Sequence, residues 1–433
     1  MTRSFDVVVV GLGIMGASAV HHLARRGVKV LGLDARGPGH ELGSSHGDTR
    51  IYRRAYWEGE RYVPLLTRSY DAWRELDAAS PARILMETGG VFVGAPSSDL
   101  VARCRETAAA CGVPHERLDA GAIRARFPAF RVPDGATAVF EPDAFMLFAE
   151  GSRAALLASA VSAGARLRYG AEVAAIEPSS GGGAEVVTDG ERIACARVVV
   201  AAGPWIAGLV PELAGVARPQ RMPVYWLEVA SDRGRDFRPG ALPVFLWEDT
   251  DGAVLYGFPE WRFQGGLKIG FHNRQLSDLD LGEPARPVGA GEIAEVQARA
   301  ARAFGLAPGG ARGITCVYTM TPDTSFVIDR SRASPDVVYA SACSGHGFKF
   351  APAIGEALAD LATGAAPKVD LAPFARSRFD PAGERIDGAA IASGGAPSGR
   401  RGGARLDSLG SPRTHDGGHM TATETEEFDA VVV

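Results

Sequence analysis

The chain has 433 residues, 46% apolar, 22% charged and 8% aromatic, an ordinary balance for a folded globular protein with room for two or three domains. Its formal net charge of -5 argues against a broad nucleic-acid surface, and no apolar run approaches the roughly eighteen residues of a membrane span. The five cysteines (Cys104, Cys111, Cys195, Cys316, Cys343) lack CxxC spacing, so no metal framework is expected. A reducing, cytoplasmic setting is expected, since no signal peptide precedes the first strand.

The first thirty or so residues carry the strongest local pattern. Asp6 to Val10 is a β-branched run that reads as a buried parallel strand. Gly11, Gly13 and Gly16 follow in GxGxxG spacing, then a helix over Ala17–Arg26, Gly27 at its end, and a second strand from Val28 to Leu33. Such glycines allow a tight turn, close approach of a pyrophosphate and helix packing on the sheet. Asp34, at the end of the second strand, is placed to bind a ribose hydroxyl. Strand, glycines, helix, strand and acid in this order predict a dinucleotide site.

Gly37 to Thr49 is a glycine- and serine-rich loop that runs into Arg50, Tyr52, Arg53, Arg54 and Tyr56. Its guanidinium groups lie in sequence just beyond the nucleotide crevice and suit carboxylates or a flavin edge. Helices are expected over Val63–Leu76 and Leu100–Cys111, with Cys104 and Cys111 one heptad apart as inert core thiols. Leu85–Val93 reads as a strand broken at Gly89-Gly90, Phe127–Pro142 as irregular, and Ala149–Ala163 as a helix. Ala165–Ile176, Ala184–Thr188 and Arg192–Cys195 read as short antiparallel strands before Ala196–Trp205, a buried strand whose Gly203 turn leads into a helix over Ile206–Val210 as a second strand-turn-helix unit. Val216 to Gly313 alternates in strand fashion, and Lys268 and His272 are expected on one strand face. The SGHG loop at Ser344–Gly347, opening a helix over Ala353–Ala362, is a further backbone-amide site for an anion. Residues 384–433 are rich in Gly, Ser, Arg and Ala and are expected to be disordered. From Met420 they read MTATETEEFDAVVV, like the chain's own opening MTRSFDVVVV, as if a linker led into a second, truncated coding frame.

These residues resemble the monomeric sarcosine oxidase and N-methyltryptophan oxidase family of the D-amino-acid-oxidase fold superfamily. The resemblance spans about residues 4–380 and rests on SSHGDTRIYRRAY (44–56), FEPDAFMLF (140–148), VVVAAGPW (198–205), YGFP (256–259), GLKIGFH (266–272), CVYTMTPDTSFVID (316–329) and SGHGFKF (344–350). It implies an α/β fold of the D-amino-acid-oxidase and glutathione-reductase type. A Rossmann-like FAD-binding domain would occupy 1–85, 140–215 and 314–383, with an inserted, largely antiparallel α+β catalytic domain at 86–139 and 216–313.

The resemblance further implies an FAD-dependent oxidase acting on CH–NH donors, monomeric and cytoplasmic, with a secondary amino acid and molecular oxygen as partners. Sarcosine or a related N-methyl amino acid would give glycine or the primary amino acid, formaldehyde and hydrogen peroxide. Carried over residue by residue, Cys316 is the flavin-linked cysteine, Lys268 activates oxygen, and Arg50 faces the flavin, flanked by His46 and Thr49. Arg53 and Lys349 bind the substrate carboxylate, and Tyr256 and His272 contact the substrate. Gly11, Gly13, Gly16, Asp34, Ser44, Gly203, Gly345, Gly347 and Phe348 complete the cofactor set, with no metal. Cys343 departs from the family pattern and puts a second thiol near the flavin. The alternatives left open are N-methyl-L-tryptophan or L-pipecolate as substrate, with Trp247 or Trp261 narrowing the entry, and a dehydrogenase using another acceptor.

Overall fold

The structure is a computed structural model that describes residues 5–261, 266–272, 274–380 and 383–386. In chain order, β1 (Phe5–Val10), α1 (Ile14–Arg25) and β2 (Val30–Asp34) precede the glycine-rich loop and β3 (Thr49–Tyr52). Then come α2 (Val63–Ala79), β4 (Leu85–Glu87), β5 (Gly90–Gly94), α3 (Asp99–Ala110), β6 (Glu116–Asp119), α4 (Ala120–Arg126) and β7 (Thr137–Glu141). They are followed by β8 (Phe145–Phe148), α5 (Ala149–Ser162), β9 (Arg166–Tyr169), β10 (Val173–Pro178), β11 (Ala184–Thr188), β12 (Glu191–Val200) and α6 (Ile206–Leu209). The remainder is β13 (Arg218–Leu227), β14 (Val244–Glu248), β15 (Val254–Gly257), β16 (Leu267–Phe271), β17 (Ser277–Asp278), α7 (Ala290–Phe304), β18 (Ala311–Met320), β19 (Val327–Arg330), β20 (Val337–Ser341) and α8 (Ala351–Thr363).

β1 lies between β2 and β12, parallel to both, with Val8 level with Leu31 and Val198. β9 extends the sheet beyond β2 and β20 extends it beyond β12, again in parallel. Val8 and Val9 are fully buried because both faces of this sheet are covered, which is why the run is apolar without alternation. Helices α1, α5 and α8 pack together over it. The carboxyl ends of β1, β2, β12 and β20 therefore meet at one edge, where a doubly wound sheet opens its crevice.

A nine-stranded sheet runs β17-β13-β16-β15-β14-β5-β7-β6, with β18 also on β13; only the β14–β5 pair is parallel. A small antiparallel sheet, β3-β8-β4, sets Thr49 opposite Phe148 and Tyr52 opposite Phe145.

Several expectations change. Leu85–Val93 is two strands in different sheets, because Gly89 at φ +65 turns the chain between β4 and β5. Part of the stretch read as irregular, Thr137–Glu141, is a buried strand between β5 and β6. β9 pairs with β2 in parallel rather than antiparallel fashion. Arg192–Cys195 is the first half of the ten-residue β12, which serves β11 along one stretch and β20 along another. Helix α7 lies inside the region read as strands; Val296, Ala300 and Phe304 bury its inner face at helical spacing. Cys111 is exposed just past the end of α3, so only Cys104 of that pair is a core thiol. Most of the 384–433 tail, including the repeat-like segment from Met420, lies outside the described residues. Its first residues are held to the body: Arg385 bridges Phe379 and its guanidinium meets Asp323 at 2.9 Å.

Asp323 anchors this closing segment. It accepts from Arg378 Nε at 2.8 Å, from Arg385, from the Thr321 hydroxyl at 3.1 Å and from the Ser325 amide at 3.1 Å. Replacing it by alanine leaves two guanidinium groups facing each other. A fully buried broken pair costs about 3–5 kcal/mol, and residual water at both arginines lowers the expectation to about 2–3 kcal/mol. Urea unfolding of Asp323→Ala checks this, and a loss under about 0.5 kcal/mol would assign the cluster a passive role.

Candidate active site

A cavity of about 490 Å3 opens at the converging strand ends, within the usual range for ligand clefts. The first sheet contributes Gly11, Gly13, Asp34, Gly203, Ser341, Ala342 and Cys343 to its wall; the nine-stranded sheet contributes Met222, Val224, Leu246, Tyr256, Lys268 and Cys316. Of the residues singled out in sequence, Ser44, Thr49, Arg50, Arg53, His272, Gly345, Gly347, Phe348 and Lys349 also line it. Gly16 and His46 do not. A Cβ on Gly16 would stand 1.8 Å from the Gly11 carbonyl oxygen, so its role is to let α1 pack against the turn. Gly11, at φ +93, passes so close to Ala201 that a Cβ would reach that carbonyl at 2.5 Å. Asp34 accepts the Leu12 amide at 2.8 Å and the Arg36 amide at 2.9 Å, which fixes its carboxylate beside the turn.

The Ser44–Arg50 loop is organised around two cations. Arg50 donates to the carbonyls of Thr49 (2.8 Å), Ser44 (2.8 Å) and His46 (2.7 Å), and lies 5.4 Å from the Phe348 ring. Lys268, only 1% exposed, donates to the Gly47 carbonyl, to the Thr49 carbonyl at 2.8 Å and to the Thr49 hydroxyl at 3.1 Å. Burial first, then Arg50, pushes its ammonium down to about 7. Lys268 and His272 were expected on one strand face; both line the cavity, but His272 lies past the end of β16 rather than on its face. His46 is buried behind the loop; burial and Arg50 hold its ring at about 4, so it stays neutral.

Arg53 and Lys349 occupy one region of the wall, with side groups that sequence reasoning missed. Arg53 Nη2 donates to both carboxylate oxygens of Glu58 at 2.8 Å. The cation pair therefore already has an anion of its own, and Glu58 is held well below the usual carboxylate range despite burial, chiefly by Arg53. Glu141, fully buried on β7, accepts the amides of Arg54 and Ala55 at 2.9 Å and fixes the backbone that carries Arg53. Lys349 donates to the His346 carbonyl at 2.6 Å and the Tyr56 hydroxyl at 3.3 Å, and burial pushes it down to about 7, with Arg53 adding to the shift. His272 lies 3.7 Å from Glu58 and is held near 4 by burial. Tyr256 lies over Gly270, where a Cβ would come within 2.8 Å of its ring. Tyr318, two residues after Cys316, is a further lining residue. Its signal was the alternation of β18, which turns Cys316 and Tyr318 to the same side. Glu58 offered only an acid five residues beyond Arg53. Trp247 and Trp261 are not among the residues that line the cavity: Trp247 stacks on Phe130 at 5.9 Å and Trp261 packs on Phe148 at 5.5 Å. Neighbouring Leu246 takes the cavity face of β14 instead.

Both Cys316 and Cys343 line the cavity. Cys316 is buried and its thiol is pushed up by that burial, against the opposing pull of Arg50 and Lys268. Cys343 is half-buried, with its sulfur 3.8 Å from the Ser44 hydroxyl.

Comparison with known proteins places this geometry. The family model of FAD dependent oxidoreductases, DAO, matches residues 6–361. A monomeric sarcosine oxidase of Streptomyces avermitilis is 38% identical over 371 residues, 84% of this chain and 94% of that one. An N-methyl-L-tryptophan oxidase of Salmonella agona is 36% identical over 383 residues, 87% of this chain and 99% of the other. Among solved structures, NikD, an amino acid oxidase essential for nikkomycin biosynthesis, superposes with a TM-score of 0.72 at 24% identity, over 86% and 98% of the two chains. A glycine oxidase from Geobacillus kaustophilus gives 0.71 at 23% identity over 88% and 100%, and at these identities the likeness is one of fold. With the glycine turn, the converging parallel strands and this match over most of its length, the chain belongs to the DAO family of FAD-dependent oxidoreductases.

Proposed function

We propose that this protein is an FAD-dependent oxidase of sarcosine or a closely related N-methyl amino acid, yielding the primary amino acid, formaldehyde and hydrogen peroxide. The observation that carries the reading is the buried pair Arg53 and Lys349 in the wall of the cavity that the glycine turn opens into. Two such cations suit an anionic ligand, and the names of the two curated relatives point to N-methyl amino acids. A peroxide-coupled screen of purified protein against N-methyl and cyclic amino acids tests it. No turnover of any N-methyl amino acid would reject it, and amine-dependent dye reduction without peroxide would point to a dehydrogenase.

The residues fit FAD. Gly203, at φ +55, has nothing within 4 Å of where a Cβ would stand, so the wall there is open to a flat group. Gly11, Gly13 and the start of α1, packed close through Gly16, would hold the pyrophosphate, and Asp34 a ribose. Ser44, Thr49 and Arg50, with Gly345, Gly347, Phe348 and Lys349, would hold the flavin, and His46 would back their loop. Bound FAD would supply the two-electron redox chemistry that links the amine to oxygen. The chain's own part is mainly positioning: Arg53 and Lys349 hold the carboxylate, while Tyr256 and His272 confine the rest of the substrate. Positive charge at the clamp also disfavours the protonated amine, which must be neutral to react. Lys268 presents a fixed charge toward oxygen as it gains negative charge. In this reading the FAD-binding part comprises 1–85, 140–215 and 314–383 and the substrate part 86–139 and 216–313, in a cytoplasmic monomer. Among the described residues no helix is long and apolar enough to cross a membrane.

In the same reading Cys316 carries the flavin through a thioether. Protein precipitated in acid should stay yellow, and Cys316→Ala should release its flavin. Flavin retained in that variant but lost from Cys343→Ala would move the link to Cys343.

Lys268→Met should slow reoxidation by oxygen by at least about 10²–10³-fold, the usual effect of deleting one preorganised electrostatic group. Anaerobic bleaching by substrate should fall much less. Stopped-flow traces separate the two, and unaltered reoxidation would deny Lys268 the oxygen role.

The Arg53–Glu58 pair makes the clamp asymmetric. Lys349→Ala should lose about 2–5 kcal/mol of carboxylate binding, as for one partner of a buried charge pair. Arg53→Ala should lose a similar amount and also some stability, because the half-buried Glu58 loses its guanidinium partner. Glu58→Gln should instead tighten binding, since the ligand no longer competes with an internal carboxylate. Affinity should weaken as pH rises through about 7, where Lys349 gives up its proton while Arg53 keeps its charge. Titration of the flavin spectrum with a simple carboxylate measures each, and equal affinity in all variants would remove the clamp.

A further inference from the structure

Tyr56 is fully buried and touches both cations of the clamp. The Arg53 guanidinium carbon lies 4.4 Å from the centre of its ring, and the Lys349 ammonium is 3.3 Å from its hydroxyl oxygen. That oxygen is also 2.7 Å from His346 Nδ1, and His346 Nε2 is 3.2 Å from the Thr324 carbonyl oxygen. The proton positions follow from the two ends of this chain. A carbonyl oxygen only accepts, so Nε2 carries the hydrogen; the ring is neutral, so Nδ1 accepts. The Tyr56 O–H must then donate to Nδ1, and its lone pair is left to accept from Lys349, which only donates. The hydrogen bonds therefore run one way, from Lys349 through Tyr56 and His346 to Thr324.

The far end is fixed as well. Thr324 has φ +55, and the turn around it is held by Thr321 Oγ1 on the Ser325 carbonyl at 2.6 Å and by Asp323 on the Ser325 amide. At the near end, the Tyr56 hydroxyl and the His346 carbonyl take two hydrogens of the Lys349 ammonium. One of its three donors is left for a ligand.

We propose that Tyr56 is the positioning strut of the carboxylate site, its ring seating Arg53 and its His346-oriented hydroxyl aiming the Lys349 ammonium. The inference rests on the reading of this region as an amino-acid carboxylate site. Tyr56→Phe keeps the ring, and with it the seat of Arg53 and the packing on Tyr62 and Phe350. It removes only the hydroxyl.

The test is titration of the flavin spectrum of the holoprotein with propionate, together with steady-state kinetics on the best N-methyl amino acid. Tyr56→Phe should bind propionate about tenfold more weakly, the usual loss for a hydrogen bond to a charged group. KM should rise in parallel while kcat stays within about twofold, because the strut acts on binding rather than on the reacting bond. In the background of Lys349→Met the same change should have almost no further effect, since Tyr56 then has no ammonium to aim. A merely structural tyrosine would instead give losses that add. If Tyr56→Phe does not retain flavin, His346→Gln interrupts the chain one bond further on and should show the same direction. Unchanged affinity in the testable variant, or additive losses, would overturn the strut. A parent protein that does not bind propionate defeats the carboxylate reading itself, which is a separate outcome.

Discussion

Burial of positive charge is the constraint on which this site depends. Lys268, Arg53 and Lys349 are 1%, 3% and 6% exposed, and an isolated cation in such a place costs several kcal/mol. Each is held by oxygen acceptors, and much of the set is main chain: Gly47 and Thr49 for Lys268, Ala55 for Arg53, His346 for Lys349. The loops must therefore bend until their carbonyls face inward. That bending is visible as left-handed backbone at Gly47, Asp48, Ser344 and Gly345. The compensation is incomplete, which is why burial still dominates the lowered values of both lysines.

The two larger sheets divide the work. The parallel sheet supplies strand ends and tight glycine turns, features that recognise a dinucleotide through backbone. The antiparallel sheet supplies side chains, because alternation lets every second residue face the cavity while the next enters a core. On β14, Leu246 lines the cavity and Trp247 packs among Phe130 and its neighbours. On β16, Lys268 faces inward and Gly270 leaves room for Tyr256.

This division explains what the sequence revealed. The opening βαβ unit was legible from β-branched run, glycines and terminal acid, because those residues are dictated by local backbone geometry. Lys268, Arg50, Arg53 and Lys349 were found through family motifs, and the fold brings all of them to one cavity. Glu58 was not found, since its pairing with Arg53 depends on how the Tyr56–Gly59 turn folds back. Trp247 was misjudged for a different reason: one step of register on a strand moves a side chain to the opposite face. The β7 strand went unseen because its pairing with β5 and β6 is settled by partners distant in sequence. Helix α7 was legible, since Val296, Ala300 and Phe304 recur at helical spacing among charged residues, and it was passed over because the strands on either side set the reading of the whole region.

The cation at Lys268 has a property that pairwise contacts alone do not express. Arg50 and Lys268 both donate to the Thr49 carbonyl, so two positive groups share one acceptor. Arginine keeps its proton under all ordinary conditions, and the lysine is the member that yields. After burial, Arg50 is the largest influence lowering it. Negative charge developing beside Lys268 would offset that repulsion and draw the proton back, raising its pKa. The ammonium is thus most fully charged when an anion forms next to it. Stabilisation of that kind is differential: it acts on the charge-developing step and little on the resting protein.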